Sequence, residues 1–133
     1  MKEETLLHRQ IHPSWIQNDT VSSQAFLAEN SIASLSFTPS EKDNNKLSVY
    51  NGEKFNPEDS FIHFTKNFKS AGVLSISIDE VNTVGELTVQ EDNDPFSGHS
   101  VINFSNVTSS TQVKKKSKKL KNMAVKRGWT HKE

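Results

Sequence analysis

Five residues of types able to handle a charged or nucleophilic centre stand out: His8, Arg9, Ser23, Tyr50 and His99. Imidazole exchanges protons near neutral pH, guanidinium grips phosphate or carboxylate, and a serine hydroxyl attacks once a base takes its proton. Such a set, with His12 beside it, would suit a nucleotide- or dinucleotide-processing site if the first and last strands were neighbours. The plainer reading gives each histidine a surface or satisfied structural role. His8 and His12 are four apart, yet they fall on a strand and its exit; His63 sits on a phenylalanine-rich helix and His99 opens the last strand. No HExxH pattern is present. Ser22-Ser23 lacks a Gly-x-Ser-x-Gly elbow, and eighteen serines bring one near a histidine by chance. Five unclustered glycines make no phosphate loop. Asp79-Glu80 reads as a helix cap and Glu91-Asp92 as a solvated loop rather than an acid/base pair. Neither a metal site nor a cofactor is expected.

The strongest signal is charge. Residues 112–133 carry eight Lys and one Arg against one Glu, a net of +8, whereas residues 1–111 carry seven basic and fifteen acidic side chains, a net of −8. Lys114, Lys115, Lys116, Lys118, Lys119, Lys121, Lys126 and Arg127 crowd a few helical turns. They form a candidate partner-binding face. Nucleic acid is one partner that releases counterions on such a face; a protein partner is the other. The plainer reading is the solvated side of a docked helix, since Val113, Ser117, Leu120 and Ala124 share the opposite stripe.

These residues need a scaffold. Residues 5–11 alternate and read as a strand, broken at Pro13. Residues 20–27 read as a second strand, and 28–46 as a long exposed loop. Leu47–Tyr50 is a short strand. Asn56 then caps a helix with Pro57 at its first position and Phe61, Phe64 and Phe68 as its stripe. Residues 72–79 form the clearest strand, with Leu74, Ile76 and Ile78 facing a core and small serines on the other side. Asp79 caps one turn, Glu80–Val84, stopped by Gly85. Leu87–Val89 and His99–Phe104 are strands around an acidic 91–98 loop. A final helix starts among Thr108–Thr111 and stops at Gly128, with Trp129 folding back. The order implies an α+β fold, a small mostly antiparallel sheet with one central helix and a basic C-terminal helix. An acidic body, 1–111, and the basic helix, 112–133, form one domain.

Composition sets bounds. With 133 residues, 32% of them hydrophobic, and a mean hydropathy of −0.66, the core is modest. Eight Phe and two Trp carry much of its burial. The lack of cysteine excludes disulfides, thiolate catalysis and cysteine zinc sites. The polar, acidic start has no signal-peptide run and no spanning segment follows, so a cytoplasmic location is expected.

Leu7-His-Arg-Gln-Ile-His-Pro-Ser14, Ser23-Gln-Ala-Phe26, Leu47-Ser-Val-Tyr50 and His99-Ser-Val-Ile-Asn-Phe104 before a Lys-rich helix resemble a family of short uncharacterised bacterial proteins. The resemblance implies a bacterial cytosolic origin and carries no activity. A strand bearing His or Arg followed by a Ser-rich strand is also similar to ADP-ribosyltransferase-like folds. That similarity implies a dinucleotide held by His8 or Arg9, with Ser22-Ser23 or Tyr50 on the nicotinamide side. The late Glu-x-Glu of such enzymes has no recognisable counterpart here; Glu80, Glu86 and Glu91 are the glutamates that could stand in for it. The sequence therefore favours a non-enzymatic binding or accessory protein of a larger bacterial intracellular assembly. The alternatives are a nucleotide- or NAD-processing enzyme and a non-specific nucleic-acid binder.

Overall fold

The structure, a computed structural model, describes residues 1–16, 32–40, 42 and 44–133. Side-chain alternation builds strand β1, Leu6–Ile11: Leu7 and Ile11 are fully buried on one face, and His8 and Gln10 are buried on the other. Pro13 ends it in a 3-10 turn, Pro13–Trp15, whose first free N–H, that of Ser14, donates to the His12 ring.

Five more strands complete one sheet: β2 Lys46–Asn51, β3 Gly72–Ser77, β4 Thr88–Glu91, β5 His99–Asn103 and β6 His131–Lys132. Their order is β4-β5-β2-β1-β3-β6, and every pairing is antiparallel. β2 thus separates β1 from β5, so the first strand and the His99 strand are not direct neighbours. With three α-helices among the described residues, the fold is α+β. The helices are α1 Pro57–Thr65, α2 Ile78–Val84 and α3 Ser110–Arg127.

Each helix starts where local chemistry satisfies its free N–H groups. Asn56 Oδ1 accepts the Asp59 N–H at 2.7 Å, with Pro57 inside the first turn. Its phenylalanine stripe is only partly used, because Phe68 stays 65% exposed while Ser60 is buried beneath the helix. Gln10 Nε2 donates to Ser60 Oγ at 3.0 Å, which places α1 over the polar face of the sheet. β3 ends at Ser77, two residues earlier than its pattern suggests. Ser77, not Asp79, is the cap: its Oγ accepts the Glu80 N–H, and the Glu80 carboxylate accepts the Ser77 N–H. This reciprocal pair lengthens α2 to Ile78–Val84. All six β3 residues are buried, so its serine side is covered as well.

α3 lies on the opposite, apolar face, against β3, α2 and a 3-10 turn at Ser34–Phe37. Leu120 and Ala124 are fully buried there, joining Leu7, Ile11, Phe37, Leu74, Ile76, Ile102 and Phe104 in one core. Truncating Leu120 to alanine costs about 2–5 kcal/mol at such a site. Gly128 stops α3 with φ +91°, a conformation that a side chain would strain, and its N–H donates to the Ala124 and Val125 carbonyls. The chain then adds β6 beside β3.

The expected exposed loop at 28–46 is corrected in its described part. Ile32, Ser36 and Phe37 are buried, and Ile32 bridges to Ile16. Two branched or aromatic side chains among many polar ones suffice to pin it to the core. The strand expected at 20–27 lies outside the described residues. Among the described residues no helix is long and apolar enough to cross a membrane.

Candidate functional site

The sheet register sets four polar side chains in a row across its polar face. Ser75 opposes His8, His8 opposes Tyr50, and Tyr50 opposes His99. Helix α1 and the 91–98 loop rise above this row. Between them lies a cavity of about 990 Å³.

His8 forms the floor and is 2% exposed. Its Nε2 donates to the Phe55 carbonyl at 3.0 Å, and its Nδ1 accepts from Ser75 Oγ at 2.7 Å. This tautomer follows from the partners, since a carbonyl only accepts. Burial holds the His8 pKa below its ordinary value of 6.5, against the opposing pull of the Phe55 carbonyl. His8 is therefore a neutral strut that fixes the Phe55 backbone.

Phe55, Tyr50, His63 and Phe96 make an aromatic wall, with ring centres 4.5–5.9 Å apart. The Tyr50 hydroxyl and His63 Nδ1 share a hydrogen bond of 2.8 Å, and burial pushes the phenol up to about 12, so it stays protonated. Gly98, at φ +100°, has no room for a Cβ: the Phe55 ring would lie 2.6 Å from it. Only glycine lets the loop pack flat on this ring.

Arg9 closes one side. Its Nε donates to the Ser36 carbonyl at 2.8 Å and one terminal nitrogen to the Ser48 carbonyl at 2.9 Å, with the guanidinium 5.4 Å from the Trp15 ring centre. Lys66 and Lys69 sit at the rim beside Phe64 and Phe68. The described lining thus holds Arg9, two lysines and the imidazoles of His8, His12, His63 and His99, and no Asp or Glu. Arg9, Lys66 and Lys69 collect positive charge at the cavity of a body whose net charge is −8.

Four of the five residues expected to build a site, His8, Arg9, Tyr50 and His99, line this one cavity; Ser23 lies outside the described residues. Direct strand adjacency was not needed, because Tyr50 on the intervening strand links the two histidines. His63, Phe55, Phe96, Trp15 and Ser48 were missed. The density of rings between Tyr50 and Phe68 was the sequence signal for Phe55 and His63; Trp15, Ser48 and Phe96 carried no local signal. Among the described residues no three His, Asp or Glu side chains group to hold a metal ion.

The basic helix divides. Lys116 is 7% exposed, and its Nζ donates to the Val84 and Gly85 carbonyls at 3.2 and 2.9 Å. Lys121 is 4% exposed, and Arg127 donates to Glu80 at 2.6 Å and to the Ser75 carbonyl at 2.9 Å. The Ser77 N–H and Arg127 together outweigh the upward push of burial and hold the Glu80 carboxyl below its ordinary value. Lys116 and Lys121 are thus buried in the fold, while Arg127 is exposed and bonds to the body. Lys114, Lys115, Lys118, Lys119 and Lys126 remain exposed. No family model, no curated protein and no solved structure matches this chain.

Proposed function

We propose that this is a binding protein for a planar, anionic small molecule of the nucleotide class, working in the bacterial cytoplasm. One observation carries the reading: a cavity of about 990 Å³ that combines aromatic walls with cations and imidazoles and has no carboxylate among its described lining residues. Flat aromatic rings favour stacking with a base, and Lys66, Lys69 and Arg9 favour phosphate. The size suits a mononucleotide or dinucleotide. Cleavage of a glycosidic bond to nicotinamide is less well supported. Its oxocarbenium-like transition state calls for a carboxylate in the cavity.

Thermal-shift screening of the full chain against nucleotides tests the reading. A ligand at about 100 times its dissociation constant stabilises by about 2.7 kcal/mol, which raises Tm by roughly 10 °C in a chain of this size. Ribose 5-phosphate, which has charge but no base, is expected to give a much smaller shift. Phe96→Ala, which removes the ring 4.5 Å from His63 and 5.0 Å from Tyr50, is expected to abolish the nucleotide shift. Equal shifts from ribose 5-phosphate and nucleotides, or none at millimolar ligand, contradict the reading.

A second reading keeps the protein as an accessory subunit that docks on an anionic partner through α3. Four exposed lysines, Lys114, Lys115, Lys118 and Lys119, favour it, because like charges four apart repel on a helix and gain from an external anion. Replacing these four with glutamine is expected to abolish retention on heparin. Unchanged retention removes the reading.

A further inference from the structure

We propose that Ser48, His99 and Asp92 form a nucleophile, base and orienting carboxylate at the edge of the cavity, able to cleave a carboxylic ester in an anionic substrate. The proposal goes beyond ligand binding and stands on these residues, not on the nucleotide reading. Ser48 is exposed on β2, and its Oγ lies 3.1 Å from His99 Nε2. The other ring nitrogen, His99 Nδ1, is buried without a hydrogen-bond partner. Its nearest acid is Asp92 Oδ2, at 3.5 Å, an ion-pair distance longer than a hydrogen bond. A base that takes the serine proton through Nε2 needs its Nδ1–H turned to a carboxylate, and this is the order present here. Such contacts are commonly long before substrate binds and tighten with it.

The surroundings agree with the chemistry. Ser48 and His99 both line the cavity, whereas Asp92 stands behind the imidazole and does not. Arg9 Nη1 donates to the Ser48 carbonyl at 2.9 Å, which holds the backbone of the nucleophile's residue in place. Lysines at the rim favour a substrate that carries a second, negative group.

In the reaction, Ser48 Oγ forms a bond to the ester carbonyl carbon while His99 Nε2 takes the hydroxyl proton. The tetrahedral oxyanion collapses, the bond from carbon to the leaving oxygen breaks, and His99 returns the proton to that alkoxide. Water then attacks the acyl-serine by the same route and releases the acid. No oxidant or reductant takes part.

A fluorophosphonate probe tests this on the full chain, with intact-mass and peptide-mapping mass spectrometry. Serine oxygen attacks phosphorus, the P–F bond breaks and fluoride leaves. One adduct per chain is expected, mapped to Ser48, absent in Ser48→Ala and formed about a hundredfold more slowly in His99→Gln. His99 is largely buried, so Asp92→Asn, at a half-exposed carboxylate, serves as a second slow variant if the first does not fold; circular dichroism checks both. No adduct, an adduct elsewhere, or a Ser48 adduct whose rate is unchanged in the folded variants overturns the proposal. A nucleotide thermal shift in the parent chain that forms no adduct shows that the binding reading survives such a failure.

Discussion

Replacing Lys116 with methionine separates a lysine that builds the fold from lysines that only decorate it. The side chain is 7% exposed, and its ammonium donates to the Val84 and Gly85 carbonyls, the free acceptors at the end of α2. Methionine keeps the stem and removes the charge. The two carbonyls lose a donor, and leaving a buried acceptor unsatisfied costs about 1–3 kcal/mol. The loss of a cation at a helix C-terminus adds about 0.3–1 kcal/mol. Relief from burying an ammonium offsets part of this, and a net loss of about 2–4 kcal/mol is expected. Glu86 contributes little, since its 3.5 Å contact is on a side chain 60% exposed. With a urea slope of about 1–3 kcal/mol/M, the unfolding midpoint should fall by about 1–2 M. Lys115→Met, one residue away on the exposed side, should stay within about 0.5 kcal/mol of the parent. Urea melts followed by circular dichroism decide the matter. Equal midpoints for the two variants would refute the division of the basic helix.

Other outcomes follow from the same contacts. Because burial lowers the His8 pKa below 6.5, the unfolded chain binds more protons just under that pH. Stability should be full above about 6.5 and fall as pH drops toward the lowered value, a loss that His8→Gln removes from the pH profile. Glu80 adds a second loss in stronger acid, since its carboxyl is held below 4.5 by Ser77 and Arg127; Arg127→Met should shrink it. Ser77→Ala should cost about 1 kcal/mol in denaturant melts by opening the cap of α2.

The sheet and its helices were legible because their signals are local. Alternation marked β1, β2, β3 and β5, and Asn56-Pro57 and Gly128 marked helix ends with a chemistry that needs no tertiary context. The boundary at Ser77 was misread because Asp79 is as good a capping type, and only the reciprocal bond with Glu80 selects Ser77. β6 carries two paired residues, too few to show a period. The buried Phe37 was hidden by its polar neighbours. The site was half legible. His8, Arg9, Tyr50 and His99 announce themselves by type, but the lateral order β5-β2-β1 that aligns three of them is a property of the sheet. For Lys116 and Lys121, burial is set by how α3 sits on the body, which composition does not encode.

The two tryptophans supply the most direct measurement. Trp15 lines the cavity and Trp129 does not; Lys132 stacks on the Trp129 ring beside β3. In a titration of the labelled chain with adenosine monophosphate, the indole N–H resonance of Trp15 should move saturably while that of Trp129 stays in place. If neither resonance moves, or both drift together without saturation, the cavity is not a nucleotide site.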